Sequence, residues 1–387
     1  MPKRPLPLLD ISVYHEKPQL FVEQLRHACH HVGFFLLKHD MPSDLSRRML
    51  AESRAFFARP REQKMQISYE HSRSFRGYMP VGVENTQGKV DLREQVEYAV
   101  EYPSDGRSSS SWPVYERLKD VNPWPQSFQP SLQNTTLEYS THVCRIADCL
   151  RDALCLALGL DDPSSSAGGL APLFDPNSSS ETTHEVPHWV VKLISYPPID
   201  KTAEAAIDSD TQQQQQGVGA HTDTNFMTLV LQDSVGGLQA FSQGEWLDVV
   251  SSQSDDDDDD DSNSDNNVLV CNLGEQAEIW SRGYFLATPH RVVANTNDRN
   301  RISVPLFYNP ILSAKIEPLQ ESQIKSELWE RPQAYDQNQH WRRKNNAMLA
   351  TVGENTFKSL ARSHPKVFQR HHPDLQLTED GRIELRK

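Results

Sequence analysis

The sequence of 387 residues carries a formal net charge of -14, of which seven consecutive aspartates at Asp255–Asp261 supply half. We expect this acidic run to be a solvated loop, and an acidic chain without a basic stripe argues against nucleic acid as a partner. No run of about 18 apolar residues occurs, which argues against a membrane-spanning helix and against a membrane partner.

The first 160 residues favour helices. Apolar residues recur at helical spacing in Pro18–Val32, which predicts a helix that ends at Gly33, and the apolar run Phe34–Leu37 predicts a buried strand. A second helix is predicted to open at Pro42 to Asp44 and to continue to Phe57. A third covers Thr136–Leu158, with Gly159 in the usual stop position.

The pattern changes after residue 190 to short apolar segments separated by turn residues, which predicts an antiparallel sandwich or barrel, with a jelly roll among the candidates. The predicted strands are Val190–Tyr196, Met227–Leu231, Leu238–Phe241, Trp246–Val250, Val268–Leu273, His290–Ala294 and Arg301–Tyr308. The tail after Pro310 is predicted to be irregular, with a helix at Asn355–Phe368.

A candidate metal site lies at His221 and Asp223, because residues two apart on a strand point to the same face. A third ligand is needed, and His290 at the start of a later strand is the best placed histidine. Two histidines and one carboxylate leave three coordination positions open, the arrangement suited to non-haem Fe(II) and O2.

A candidate anion site follows eleven residues after His290, where Arg301 and Ser303 share one face of a strand. The polar segment Asn295–Asn300 predicts that this strand and the one at His290 form an antiparallel hairpin, which would return Arg301 toward the metal. A guanidinium with a neighbouring hydroxyl can bind both oxygens of a carboxylate.

These segments together resemble the 2-oxoglutarate- and Fe(II)-dependent dioxygenase superfamily, specifically its isopenicillin N synthase-like branch. The matching segments, in the order of the family, are Leu6-Pro7-Leu8-Leu9-Asp10, Ala28 to Phe35, Lys38-His39-Asp40, Arg76-Gly77-Tyr78, Tyr196-Pro197-Pro198, His221-Thr222-Asp223, Gly236-Gly237-Leu238-Gln239, Gly244-Glu245-Trp246, His290-Arg291-Val292 and Arg301-Ile302-Ser303. Because these matches occur in the order of the family and cover most of the chain, together they are stronger evidence for the resemblance than any single match.

The resemblance implies that His221, Asp223 and His290 are the iron ligands and that Arg301, Ser303 and Tyr196 contact 2-oxoglutarate. It also implies that the enzyme hydroxylates or desaturates a small organic molecule with O2 and releases succinate and CO2. The charges of Fe(II), Asp223, a 2-oxoglutarate dianion and Arg301 sum to zero, as a water-poor pocket requires.

Two positions depart from the family pattern without touching a ligand. Ile194 stands where the family has an asparagine, two residues before Tyr196, and Glu275 stands where it has an aspartate after Gly274. Two aromatic residues, Phe75 and Tyr78, are candidates for the substrate pocket, although core packing explains them equally well.

The resemblance implies a mixed α and β chain with a mainly β core, namely a double-stranded β-helix (jelly roll) with flanking helices. We expect residues 1–184 to form a mostly helical N-terminal region packed on the core, 185–312 the catalytic jelly roll, and 313–387 an extension that closes it. Five cysteines without metal-binding spacing indicate free thiols in a reducing compartment. We expect a cytoplasmic enzyme without an obligate protein partner.

Three alternatives remain open at this stage. The first is an Fe(II) oxidase of the same fold that does not use 2-oxoglutarate, and the second is a zinc-dependent hydrolase with the same three ligands. The third is a binding protein without catalytic activity. His184 and His188 could also be read as a second metal site. We expect instead that they lie in a solvated segment that precedes the core.

Overall fold

The computed structural model describes residues 6–86, 88–102, 113–165, 168–175, 185–199, 216–250, 267–324, 328, 330–338, 349–379 and 381–386. The acidic run Asp255–Asp261 and His184 lie outside these residues. The described α-helices are Ile11–Glu16, Pro18–His31, Leu45–Phe57, Arg61–Lys64, Ser131–Ala157, Ala171–Phe174, Glu275–Trp280, Ala334–Asn338, Val352–Ser363 and Pro365–His371.

The strands are numbered here in chain order. They are β1 (Leu8–Asp10), β2 (Phe34–Lys38), β3 (Gly77–Met79), β4 (Asn85–Thr86), β5 (Lys89–Val90), β6 (Glu94–Ala99), β7 (Val190–Tyr196), β8 (Gln216–His221), β9 (Met227–Gln232), β10 (Leu238–Ser242), β11 (Glu245–Asp248), β12 (Val268–Leu273), β13 (His290–Val293), β14 (Arg301–Tyr308), β15 (Leu375–Leu377) and β16 (Ile383–Leu385).

Two sheets form the core of the protein. The larger has eight strands in the order β1-β2-β12-β9-β14-β7-β6-β3, and the smaller has four in the order β11-β10-β13-β8. Both are antiparallel apart from the β1–β2 pair. Strands β1, β2, β3 and β6 come from the first 100 residues, so the N-terminal region extends the sheet as well as covering it.

The two sheets pack face to face. Directly opposite residues of antiparallel strands share a face, and Arg301 lies opposite Tyr196 while Ser303 lies opposite Ile194. Tyr196 and Ile194 belong to one apolar cluster with Val218 of β8. The face that carries Arg301 and Ser303 is therefore the inner one, and the expected jelly roll is confirmed.

The outer face of the large sheet is covered by helices. Helix Ser131–Ala157 buries apolar residues at steps of three and four, including Val143 and Ile146, against Val304 and Leu306 of β14. The Tyr139 hydroxyl also donates to the Val304 carbonyl oxygen over 3.2 Å. Burial of this kind yields roughly 25 cal/mol per Å2 of apolar surface, so the helix holds the sheet that carries the site.

Most predicted elements occur within a few residues of their expected bounds. The C-terminal helix predicted at Asn355–Phe368 is instead two helices, Val352–Ser363 and Pro365–His371. Proline lacks the N–H that would continue the first helix, so the chain starts a new helix at Pro365. In the part of the chain that the structure describes, no helix is both long and apolar enough to cross a bilayer.

Two predictions about the site strands were wrong. Strand β8 ends at His221, so Asp223 lies in the loop that follows and not two places along a strand. The strands at His290 and Arg301 do not form a hairpin, because β13 pairs with β8 and β10 while β14 pairs with β7 and β9. The chain crosses from one sheet to the other between them.

Candidate active site

Three side chains from two strands and a loop converge at the open end of the small sheet. The register of β13 against β8 places His290 opposite His221. The Nε2 atoms of His221 and His290 lie 3.7 and 3.6 Å from Oδ1 of Asp223. One ligand atom from each residue lies within 4.8 Å of the others, so a single ion can be reached by all three.

The local hydrogen bonds orient both imidazoles. Nδ1 of His221 lies 2.8 Å from the Gly219 carbonyl oxygen, and Nδ1 of His290 lies 3.2 Å from that of Thr288. A carbonyl can only accept, so both Nδ1 atoms carry hydrogen, which leaves Nε2 of each ring as the atom that can bind a metal. Burial, together with the neighbouring His290, lowers the pKa of His221 to about 4, which keeps its ring neutral at pH 7.

The two oxygens of Asp223 have different surroundings. Oδ2 accepts hydrogen bonds from the Thr228 hydroxyl over 2.6 Å and from the Asn272 amide over 2.8 Å. Burial alone would raise the pKa of Asp223, but the two histidines and these hydrogen bonds lower it below its usual value. Asp223 is therefore ionised, and Oδ1 faces the two imidazoles.

The guanidinium of Arg301 lies on the inner face of the large sheet and is only 2% exposed. Nη2 donates to the Gln232 side chain over 2.8 Å, and the guanidinium carbon lies 4.9 Å from the centre of the Tyr196 ring. Nε and Nη1 are buried without a hydrogen-bond partner among the described residues. The buried Ser303 hydroxyl is on the same face.

A cavity of about 340 Å3 opens onto His221 and Asp223. Its walls come from the N-terminal region, the inner face of the large sheet and helix Val352–Ser363, and include Arg76, Glu84, Glu97, Lys192, His188 and Ser359. Glu275, one of the departures from the family pattern, also lines the cavity, and its carboxylate accepts a hydrogen bond from the Thr222 hydroxyl over 2.6 Å. Most of the residues that line it have polar or charged side chains, so the cavity suits a polar small molecule.

The structure places the two aromatic pocket candidates in the core and not on the wall of this cavity. Phe75 is fully buried, with its ring stacked 5.6 Å from that of His372. Tyr78 is 2% exposed, and its hydroxyl donates to Glu94 over 2.6 Å. Core packing, the alternative explanation, describes both residues.

His188 differs from its expected place in a solvated segment. The residue is 3% exposed and lines the cavity, because its backbone is held between Pro310 and Asn309 at the end of β14. The sequence carried no signal for this position, since the hydrogen bonds join segments more than 100 residues apart.

Sequence reasoning also missed the polar residues that support the site. Thr228, Gln232 and Asn272 are polar residues inside the apolar strands β9 and β12. A polar side chain that alternates with apolar ones on a buried strand is the signal that would have identified them.

A jelly roll with two imidazoles and a carboxylate at one end, and an unpaired buried guanidinium on an inner strand, defines the class of non-haem iron oxygenases. The chain belongs to the 2OG-Fe(II) oxygenase superfamily: the model of that superfamily matches residues 190–310. The model described as the N-terminal part of non-haem dioxygenases in morphine synthesis matches residues 6–127. The superfamily predicted from the sequence is confirmed.

Curated relatives cover most of the chain. A homoarginine-6-hydroxylase of Oryza sativa subsp. japonica is 29% identical over 340 residues, which cover 81% of this chain and 88% of the relative. The 2-oxoglutarate-dependent dioxygenase frbJ of a Dothideomycetidae species is 28% identical over 335 residues, which cover 85% of this chain and 80% of the relative.

Solved structures share the fold. A 2OG-Fe(II) oxygenase family protein from Caulobacter crescentus superposes with a TM-score of 0.65 at 22% identity, covering 92% of this chain and 98% of that one. JOX2, solved with 2OG, Fe and JA, superposes with a TM-score of 0.61 at 21% identity, covering 88% of this chain and 85% of that one. The protein is accordingly an oxygenase that uses Fe(II), 2-oxoglutarate and O2 to oxidise a small molecule.

Proposed function

We propose that His221, Asp223 and His290 bind the ferrous ion and that Arg301, with Ser303 and Tyr196, binds the distal carboxylate of 2-oxoglutarate. The donor set fits the ion, because neutral imidazoles and one carboxylate are the ligands of non-haem Fe(II) sites. Each ligand presents one free donor atom, while its other polar atom is hydrogen bonded.

The observation that carries the cosubstrate assignment is the unpaired guanidinium. Leaving a buried donor without a partner costs about 1 to 3 kcal/mol, and more for a charged group. Arg301 has two such atoms, Nε and Nη1, while Gln232 holds its third nitrogen and Tyr196 supports its flat face. A carboxylate would satisfy both atoms and neutralise the charge, which favours a dicarboxylate cosubstrate over an oxidase without one.

When bound, iron and 2-oxoglutarate supply the O2-dependent oxidising chemistry of the family, with succinate and CO2 as co-products. The residues of this chain hold His221 neutral, keep Asp223 ionised and fix the cosubstrate from its far end. Asp223 and Arg301 are buried, and this limited contact with water strengthens their electrostatic interactions.

We further propose that the reaction is hydroxylation or desaturation of a polar, nitrogen-bearing small molecule by a cytoplasmic enzyme of the isopenicillin N synthase-like branch. The polar cavity wall supports the polarity of the substrate. The similarity to a homoarginine-6-hydroxylase supports a nitrogen-bearing one. Cysteines that are not joined in disulfides among the described residues fit a reducing compartment.

The test is an anaerobic titration of the purified protein with Fe(II) and 2-oxoglutarate, which reports formation of the chelate through its visible charge-transfer band. We expect His290→Ala to abolish the band and Arg301→Ala to weaken 2-oxoglutarate binding while the band persists at saturation. Arg299→Ala is the matched control, because that exposed arginine contacts Ser234 outside the site. A full-strength band with unchanged 2-oxoglutarate affinity in both site variants would refute the assignment.

A further inference from the structure

Arg76 is a buried cation that forms no ion pair with a described residue. The residue is 4% exposed and lines the cavity. Its donors reach neutral oxygens only: Nη1 contacts the Asp120 carbonyl and the Asn122 side chain, and Nη2 contacts the Leu118 carbonyl. Nε makes no hydrogen bond to a described residue. The carboxylates of Asp120, Glu101 and Glu97 act on this guanidinium only from beyond ion-pair distance. A buried charge without a direct partner costs up to several kcal/mol, so the position beside Arg76 favours an anion.

His188 lies in the same wall and is likewise unsatisfied. Its Nδ1 is buried without a hydrogen-bond partner among the described residues. Burial, together with the charges of Arg76 and Lys119, lowers the pKa of His188 to about 3, so the ring is neutral at pH 7. A neutral imidazole can donate one hydrogen bond to an anion that Arg76 attracts.

Another part of the wall carries an excess of negative charge. Lys192 contacts Glu97 over 2.6 Å, and Arg93 lies 3.4 Å from Asp91 and 3.6 Å from Glu84. Four of these five residues line the cavity, and Asp91 lies behind Arg93. Three carboxylates thus share two direct cationic partners, so one carboxylate has no ion-pair partner of its own within this cluster.

Glu84 is the member of this cluster that can accept a ligand. Its Oε1 is buried and makes no hydrogen bond to a described residue. Nε2 of His364 lies 3.5 Å from Oε1 of Glu84. Burial lowers the pKa of His364, so this ring does not supply a positive charge at pH 7. A cationic nitrogen of a ligand would fill the position.

We propose that the cavity binds a basic amino acid whose carboxylate is held by Arg76 and His188 and whose cationic side-chain nitrogen is held by Glu84. This inference rests on the proposed function, because it treats the cavity beside the metal ligands as the substrate site. The two subsites have opposite charge, so they select for charges at both ends of the ligand. A neutral or singly charged ligand leaves one of them uncompensated.

The test uses the wild-type enzyme loaded anaerobically with Fe(II) and 2-oxoglutarate, with binding measured by calorimetry. The probes are L-lysine, L-arginine and L-homoarginine. Each is compared with its decarboxylated amine and with an analogue that has a neutral side-chain group, such as L-citrulline for L-arginine. At least one parent should bind roughly tenfold or more better than both analogues, since each loses a charge-assisted hydrogen bond. Absence of binding by all three parents, or equal binding of an analogue, would overturn the proposal.

Three variants assign the subsites. Arg76→Gln should weaken binding of the amino acid that binds most tightly by roughly 30-fold or more. It should also bring the ratio of the affinities for that amino acid and its decarboxylated amine close to one. Glu84→Gln should bring the ratio of parent binding to neutral-analogue binding close to one, and it should leave the parent-to-amine ratio unchanged. His188→Phe, which leaves the backbone contacts of Arg76 in place, should lower the parent-to-amine ratio even if Arg76→Gln does not fold.

The control and the first measurement separate this inference from the proposed function. Arg151→Gln removes a buried guanidinium that pairs with Asp148 and Asp152 outside the cavity, and it should leave both ratios unchanged. The 2-oxoglutarate titration is run first on every variant. A missing band in the wild type contradicts the proposed function, whereas a normal band with ratios that the variants do not change contradicts the zwitterion site alone.

Discussion

Asp223 shows how residues behind a ligand set its properties. The Thr228 hydroxyl and the Asn272 amide occupy Oδ2, which fixes the carboxylate with Oδ1 toward the imidazoles. Loss of such supporting hydrogen bonds typically lowers metal affinity 10- to 100-fold.

We predict that Thr228→Val lowers Fe(II) affinity about tenfold, because the isosteric valine removes a hydrogen bond to Oδ2 without opening a void. The measurement is anaerobic metal titration with a chelating competitor. Thr136→Val is the matched control, since the Thr136 hydroxyl is buried without a partner among the described residues. Equal Fe(II) affinity in both variants would contradict a role for Thr228.

Gln232 holds Arg301 through the hydrogen bond to Nη2, and Gln232 itself donates to the Val249 carbonyl over 3.0 Å. We predict that Gln232→Leu weakens 2-oxoglutarate binding about fivefold, the effect of one hydrogen bond of roughly 1 kcal/mol. Fe(II) affinity should stay at the wild-type value. The 2-oxoglutarate KM and the chelate titration test this, with Gln239→Leu on the neighbouring small sheet as control; a changed metal affinity would mean a broader disturbance.

Sequence analysis identified the candidate site residues that belong to recognisable motifs. It missed residues whose role depends on which segments the fold brings together. The three ligand candidates and Arg301 follow from motif spacing, and the structure brings the three ligands together. Gln232 and His188 are ordinary polar residues in sequence. Their roles arise because the fold brings Arg301 and Arg76, from other segments of the chain, beside them, which local spacing does not encode.

At the scale of elements, bounds were predictable where burial on both faces gives a continuous apolar run. Val190–Tyr196, Val268–Leu273 and Arg301–Tyr308 occur as predicted. The pairing of strands was harder to predict. Only a short polar segment separates β13 from β14, yet the two strands belong to different sheets. Strand periodicity shows which face is buried but does not identify the partner strand.

Helix Val352–Ser363 forms part of the cavity wall, and a capping box starts it. The Thr351 hydroxyl accepts from the Glu354 N–H, and the Glu354 carboxylate accepts from the Thr351 N–H over 3.0 Å. Two otherwise unpaired N–H groups are thereby satisfied at the end nearest the core.

We predict that Thr351→Ala destabilises the protein by about 1 kcal/mol and speeds hydrogen exchange in the first turn of this helix. Thermal unfolding and amide exchange measure the two effects. The control is Thr141→Ala, which removes a hydroxyl bond to the Leu137 carbonyl in the middle of an exposed helix face. Exchange in residues 352–356 that matches the wild type would show that the cap does not limit opening of the wall.

At the scale of the whole molecule, the cavity is assembled from three distant parts of the chain. The N-terminal region supplies Arg76 and Glu84, the sheet supplies Lys192, and the C-terminal part supplies Ser359. The division at 1–184, 185–312 and 313–387 stays a prediction. Its physical basis is that each part leaves an apolar face that only the others cover, so we expect them to fold together.

The C-terminal part is tied to the N-terminal region by buried contacts. Arg117 donates two hydrogen bonds to the Asp374 carboxylate, over 2.9 and 2.6 Å. His372, fully buried beside the Phe75 and Phe357 rings, has Nε2 at 2.9 Å from the Arg73 carbonyl oxygen. A proton added to this ring would have to be accommodated next to a guanidinium.

Stability should therefore depend on pH through His372. Burial, and the nearby Arg117, lower the pKa of His372 to about 4, although the hydrogen bond to Arg73 and the charge of Asp374 oppose this. The ring has a pKa of about 6.5 in an unfolded chain, so the unfolded state binds the extra proton between these values. The contribution to stability is fully present above pH 6.5 and falls by up to about 1.4 kcal/mol per unit as pH drops toward 4.

We predict that His372→Gln reduces the loss of unfolding free energy between pH 6.5 and 4, because glutamine keeps a donor near Arg73 but does not titrate. Denaturant unfolding of metal-free protein across this range measures the slope, and removal of the metal isolates the histidine from iron binding. His15→Gln, at an exposed histidine in helix Ile11–Glu16, should retain the wild-type slope. If both variants lose stability with pH as steeply as the wild type, the buried ring is not what makes the C-terminal attachment sensitive to acid.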